Sequence, residues 1–256
     1  MKHSFIDRYS DLDSPVHRID SRVKLLLVFL AIITVVSEPQ ARLFPFAFYG
    51  GLILVLILMS RLPLVFVLKR FMLLSPFILL AALFYPVSLL ISKEAQLASI
   101  RDEPFRVALS IFCKAGLSIL LLIWLISTEK FHNLLIGMRK LRMPRLIGII
   151  SALMYRYIFI FGDEALKTTR ARESRTPGKL KMNKVKVYSN QMAMIFLRSW
   201  ERSVMIYQSM LSRGFSGELP AMQRMAINRN DMLFFVSFVL GLLAIRFFVD
   251  PLVTGF

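Results

Sequence analysis

The chain has 256 residues, with 33 Lys and Arg against 16 Asp and Glu, a formal net charge of +17 and a sequence pI near 10.5. Such charge suggests a nucleic-acid binder, yet 56% of the chain is hydrophobic and its mean hydropathy is +0.61, against about 45–50% apolar for soluble domains. A soluble domain, a disordered chain and a disulfide scaffold are excluded, the single Cys113 lying within an apolar run. What remains is an all-α membrane protein with a large basic part.

A membrane-spanning helix needs about 20 mainly apolar residues. In chain order the candidates are Val23–Val36, Leu43–Met59, Phe71–Ile91, Phe105–Ser127 and Met232–Val249. The first is short and extends only by using Arg22 and Lys24 as interfacial anchors. The third contains Pro76 and Pro86, so it is expected to be kinked, or broken and buried against its neighbours. No cleavable signal peptide is expected, since Asp7, Asp11 and Asp13 precede the first apolar run. Two cations fall inside spans. Lys114 has two readings, an acidic partner or a backbone carbonyl, and Arg246 is placed to snorkel to the interface.

Lys and Arg number five in residues 1–24, one in 37–42, three in 60–70, three in 92–106 and nineteen in 128–230. Basic loops stay cytoplasmic. The N-terminus and residues 128–230 are therefore expected inside, and the C-terminus outside, the plasma membrane (the inner membrane of a two-membrane cell). This divides the chain into residues 1–127 with four spans, a cytoplasmic segment 128–230, and a last span in 231–256.

The cytoplasmic segment carries +13 of the +17, yet it is no hydrophilic linker. A short helix is expected near Glu129–Arg142. A long one follows over Pro144–Arg175, with Leu146, Ile150, Leu153, Tyr157 and Phe161 on one face. Arg156 interrupts that run and argues against a sixth span. Thr-Pro-Gly at 176–178 ends the helix. Another helix reads from about Ser189 to Arg213, with Phe196, Trp200, Val204, Tyr207 and Leu211 on a stripe and Gly214 as its stop. Basic amphipathic helices lie on an anionic leaflet or dock onto partners. Ten of the fourteen Met fall in this segment, as gap fillers between helices or as a surface that repacks against a moving partner.

The opening FIDRYSDLDSPVHRIDSRVKLLLVF resembles the N-terminus of the transmembrane T component of energy-coupling factor (ECF) transporters, above all the cobalt-type CbiQ family. Two Arg-centred tripeptides, 41 residues apart, carry the rest of the likeness: Ala171-Arg172-Glu173 and Ser212-Arg213-Gly214. In the family these are typically Ala-Arg-Gly or Ala-Arg-Ser, so Glu173 and Ser212 depart from the pattern. A carboxylate beside Arg172 pairs with it or with Arg170, which leaves Arg170 as a second candidate for the same role. The resemblance implies a non-catalytic subunit that links two ABC-type ATPases to a substrate-binding membrane subunit. Each Arg would enter a groove on one ATPase, where its planar fork suits carboxylates.

No glycine-rich loop ending in Lys-Ser/Thr is present, so the chain is not expected to bind ATP. His3, His17 and His132 are scattered, so no metal site and no cofactor is expected in this chain, and His17 is read as structural or interfacial. If cobalt or nickel is the substrate, its ligands belong to another subunit. T components of vitamin transporters share the coupling helices and remain an alternative. Two readings from other classes are an intramembrane lipid-processing enzyme, without the Asp-rich or His cluster it needs, and a nucleic-acid scaffold, whose cations would have to face away from the membrane.

Overall fold

The computed structural model describes residues 14, 16–17, 19–39, 44–91, 103–175, 184–217 and 228–249. All secondary structure among them is helical: α1 Ser21–Val36, α2 Phe44–Met59, α3 Leu64–Ile91, α4 Glu103–Thr128, α5 Phe131–Lys140, α6 Arg145–Arg175, α7 Lys184–Ser212 and α8 Arg229–Ala244, the last continuing as a π turn, Ile245–Val249. The protein is an all-α, multi-pass membrane protein. The chain divides into two units, residues 139–224 and a bundle of residues 2–138 with 225–256.

In the bundle, Asp20 caps α1 by accepting the Arg22 amide at 2.9 Å, satisfying a donor that the first turn leaves free. Asn228 and Asp231 form a reciprocal capping box at the start of α8. The core is apolar and dry, with Leu27, Val35, Tyr49, Leu121, Trp124 and Leu242 almost wholly enclosed. The aliphatic excess that the helix surfaces display outward is what a hydrocarbon solvent accepts.

Side-chain contacts fix how the bundle helices alternate. At one end the Trp124 indole of α4 donates to Ser60 just past α2 (2.6 Å). There too the Lys24 ammonium near the start of α1 meets Glu129 just past α4 (2.5 Å). At the other end Tyr49 of α2 donates to Glu38 beyond α1 (2.6 Å). Lys114 of α4 donates to the carbonyls of Val36 (3.0 Å) and Glu38 (2.6 Å), and Arg246 reaches Ser37. Thus α1 and α8 start at the end where α2 and α4 finish. Lys114 takes the backbone-carbonyl role of the two it was assigned: it satisfies the open C-terminus of α1, where a cation also complements the dipole.

Two expectations are revised. The third helix is unbroken from Leu64 to Ile91 and starts seven residues before the expected Phe71, carrying Lys69 and Arg70 within it. Pro76 deprives the Met72 carbonyl of its helical donor, and the Ser75 hydroxyl donates to that carbonyl instead (3.2 Å). The second long helix of the basic segment starts at Lys184, five residues before Ser189. Finally, α6 is long and apolar enough to cross a membrane, as are Leu64–Phe84, Phe105–Thr128 and Arg229–Phe247, with α2 shorter. Arg156, the cation read as arguing against a span, is exposed within α6, its guanidinium carbon 5.9 Å from the centroid of the Tyr157 ring.

Candidate functional site

The two Arg motifs lie in the unit formed by residues 139–224, and their surroundings differ. Ala171-Arg172-Glu173 occupies the last turn of α6. Arg172 Nη1 donates to Gln191 Oε1 of α7 at 2.9 Å. Gln191 Nε2 in turn donates to Thr169 Oγ1 of α6 at 2.8 Å. The guanidinium carbon stands 4.7 Å from the centroid of the Tyr188 ring, a cation–π distance. Only 16% of the Arg172 side chain is exposed, against 65% for Glu173, whose Oε1 is 3.6 Å from Arg172 Nη2. Arg170, the second candidate, is exposed, so within the motif the structure singles out Arg172 as the ordered cation.

Farther up the same helices Glu164 pairs with Arg198. Partners on α7 thus move toward its N-terminus as those on α6 move toward its C-terminus. The helices are antiparallel where they touch.

Ser212-Arg213-Gly214 forms the end of α7. Phe215 N donates to Met210 O (3.0 Å) and Gly214 N to Leu211 O (2.9 Å), the two bonds of a Schellman cap. The cap needs a left-handed residue, and Gly214 has φ +77°. The Ser212 hydroxyl donates back to Ser209 O (3.0 Å). Arg213 sits at the cap position, exposed, with no side-chain partner among the described residues. From Gln191, which holds Arg172, to Arg213 is 22 residues along α7, about 33 Å at the helical rise. Among the described residues the motifs are two sites, one clasped by side-chain partners and one without them.

The predicted apolar stripe of α7 is present, and it faces outward: Phe196, Trp200, Val204, Tyr207 and Leu211 are all exposed. Contiguous exposed apolar surface on this scale marks a partner or a membrane.

Sequence reasoning missed a buried polar cluster in the bundle. Lys24 is fully enclosed and pairs with Glu129. Ser21 donates to Glu129 Oε2 (2.9 Å), Asn133 lies 3.5 Å from the same oxygen, and Asp20 and Asp231 add to the field at the ammonium. Leu25, Arg22 and Ser21 crowd Gly137 of α5, where an added Cβ would stand 3.2–3.4 Å from them. Within the stretch that carried the N-terminal resemblance, residues 5–29, Ser21, Lys24 and Leu25 thus tie the head of α1 to the α4–α5 elbow. His17, read as structural or interfacial, has its Nδ1 2.6 Å from Ser14 Oγ. Among the described residues no three His, Cys, Asp or Glu side chains gather as a metal site, and His132 is exposed.

Residues 13–225 match the CbiQ family, whose description is cobalt transport protein. The chain belongs to the CbiQ family. A fused cobalt transport protein, CbiMQ, of Methanocorpusculum labreanum is 34% identical over 96 residues, 38% of this chain and 16% of that longer protein. An uncharacterized protein of Methanocaldococcus jannaschii is 24% identical over 254 residues, covering 95% of this chain and 86% of its own length. As a CbiQ-family protein, the chain is a membrane component of cobalt transport. Both Arg motifs fall inside the matched region.

Proposed function

We propose that this chain is the energy-coupling T component of an ATP-driven ECF-type cobalt importer. It would join two cytoplasmic ABC-type ATPases to a separate membrane subunit that binds the metal. Arg213 carries this reading: a cation held at a capped helix end, without a side-chain partner among the described residues, is an unfilled half of an ion pair. Arg172 is the second anchor, and a span of about 33 Å suits two separate ATPases rather than one groove. Family membership supports the substrate. The Lys and Arg distribution supports placing residues 128–230 on the cytoplasmic side, where ATP is available, with the outward apolar stripe of α7 toward the membrane subunit or the leaflet.

The test is assembly and uptake. Arg172→Ala with Arg213→Ala should abolish co-purification of both ATPases and cobalt uptake, while the purified chain alone hydrolyses no ATP. Assembly and uptake at wild-type levels in the double variant would refute the assignment.

A further inference from the structure

Arg172 is a long, many-rotamer side chain at the end of a helix with no fully buried residue, yet only 16% of it is exposed. Three residues outside its tripeptide do this. Gln191 accepts from Nη1, Thr169 holds the Gln191 amide by accepting from Nε2, and the Tyr188 ring covers the guanidinium. The order of these bonds fixes the amide's orientation: its oxygen must face the arginine because its NH2 is committed to Thr169. Two of the three residues, Tyr188 and Gln191, belong to α7, one turn apart, so they present one face to α6.

We infer that Tyr188, Gln191 and Thr169 form a clasp that positions Arg172 for its acidic partner, and that this clasp makes the attachment at α6 sensitive to the position of α7. This rests on the docking role proposed for Arg172. A guanidinium has five N–H donors; the clasp consumes one and blocks one face, and the remaining edge is left for a partner carboxylate. Glu173 Oε1, 3.6 Å from Nη2 and 65% exposed, stands beside that edge in the free chain and would give way to the partner. Arg213 has no such clasp, so the two anchors differ: Arg213 binds by capture, Arg172 from a prearranged geometry. Sliding of α7 along α6 would then move Arg172 directly, without a change in α6 itself.

The experiment titrates the two ATPases of the transporter against the chain in nanodiscs, in an Arg213→Ala background that leaves attachment to the first site. Freezing a rotamer-rich side chain in advance is worth about two- to tenfold in affinity. Gln191→Ala and Tyr188→Leu should each weaken binding by that factor, and Tyr188→Phe, which keeps the ring, should bind as the parent does. In an Arg172→Ala chain that keeps Arg213, neither Gln191→Ala nor Tyr188→Leu should weaken the remaining binding further. Unchanged helix content by circular dichroism establishes that the variants are folded. If Arg172→Ala weakens binding while Gln191→Ala and Tyr188→Leu do not, or if their losses add to it, the clasp is refuted and the docking role stands. If Arg172→Ala itself has no effect, the docking role fails, and the clasp with it.

Discussion

A buried ammonium contributes to stability only while its carboxylate stays with it, and Lys24 illustrates the asymmetry. Its head is enclosed, bonded to Glu129 at 2.5 Å, and Glu129 also receives Ser21. Removing one member of a buried pair typically costs about 3–5 kcal/mol because the other charge is stranded, whereas removing both is often near neutral. Lys24→Met is therefore expected to lower the Tm of the detergent-purified protein sharply, and Lys24→Met with Glu129→Leu to recover most of the loss in a thermal scan. A single variant as stable as the parent would show that the pair is not holding the elbow. None of this was legible in the sequence: Lys24 and Glu129 are 105 positions apart, and each alone reads as an interfacial charge at the end of an apolar run. Arg172 and Arg213 were legible as motifs, but the difference between them was not. Gln191 and Tyr188 carry no signal until α7 is laid antiparallel on α6.

At the scale of one helix, the end of α7 shows why its tripeptide closes on glycine. A Cβ at Gly214 would meet nothing within 4 Å, but the residue has φ +77°. Any loss on substitution is then backbone strain, about 1–2 kcal/mol for a left-handed L-residue, and not a clash. Gly214→Val is expected to fray the last turn and weaken binding of the ATPase that Arg213 contacts, with little change in Tm because the helix end is exposed. Gly214→Asn, which tolerates this conformation, should retain most of the affinity. Equal binding by the valine and asparagine variants, measured by ATPase titration of a chain that keeps Arg213 and carries Arg172→Ala, would mean that the cap does not present Arg213. Helix ends with such chemistry were readable in advance, as Gly214 was. The start of α3 was not, because Lys69 and Arg70 look like loop residues until the helix surface around them is seen to be exposed. Pro76 misled for a similar reason: the replacement donor, Ser75, is its neighbour, and nothing in hydropathy reveals that its hydroxyl turns back to Met72.

At the scale of the molecule, the alternation of the bundle helices constrains α6. The chain leaves the bundle after Thr128 and returns at Asn228. Lys24 pairs with Glu129 at the first of these points and feels the charge of Asp231 at the second. Departure and return thus share one end of the bundle, so the intervening chain makes an even number of crossings. Of its helices, α5 has ten residues, too few to span, and α7 is not among the helices apolar enough to cross. Among the described residues that leaves α6 alone, and one crossing is odd. Despite its length and composition, α6 should lie on one side of the membrane, its apolar face turned to the bilayer surface or to a partner. The basic-residue counts predict that this is the cytoplasmic side. In a Cys113→Ala background, single cysteines at Met143 and Ser174, before and near the end of α6, should both react with a membrane-impermeant maleimide only after permeabilisation. One at Pro39, at the opposite end of the bundle, should react in intact cells. Labelling of Met143→Cys and Ser174→Cys from opposite sides would make α6 a span and require α7 to cross back, carrying Arg198, Arg202 and Glu201 through hydrocarbon at a cost of roughly 2.5–3.5 kcal/mol per central charge.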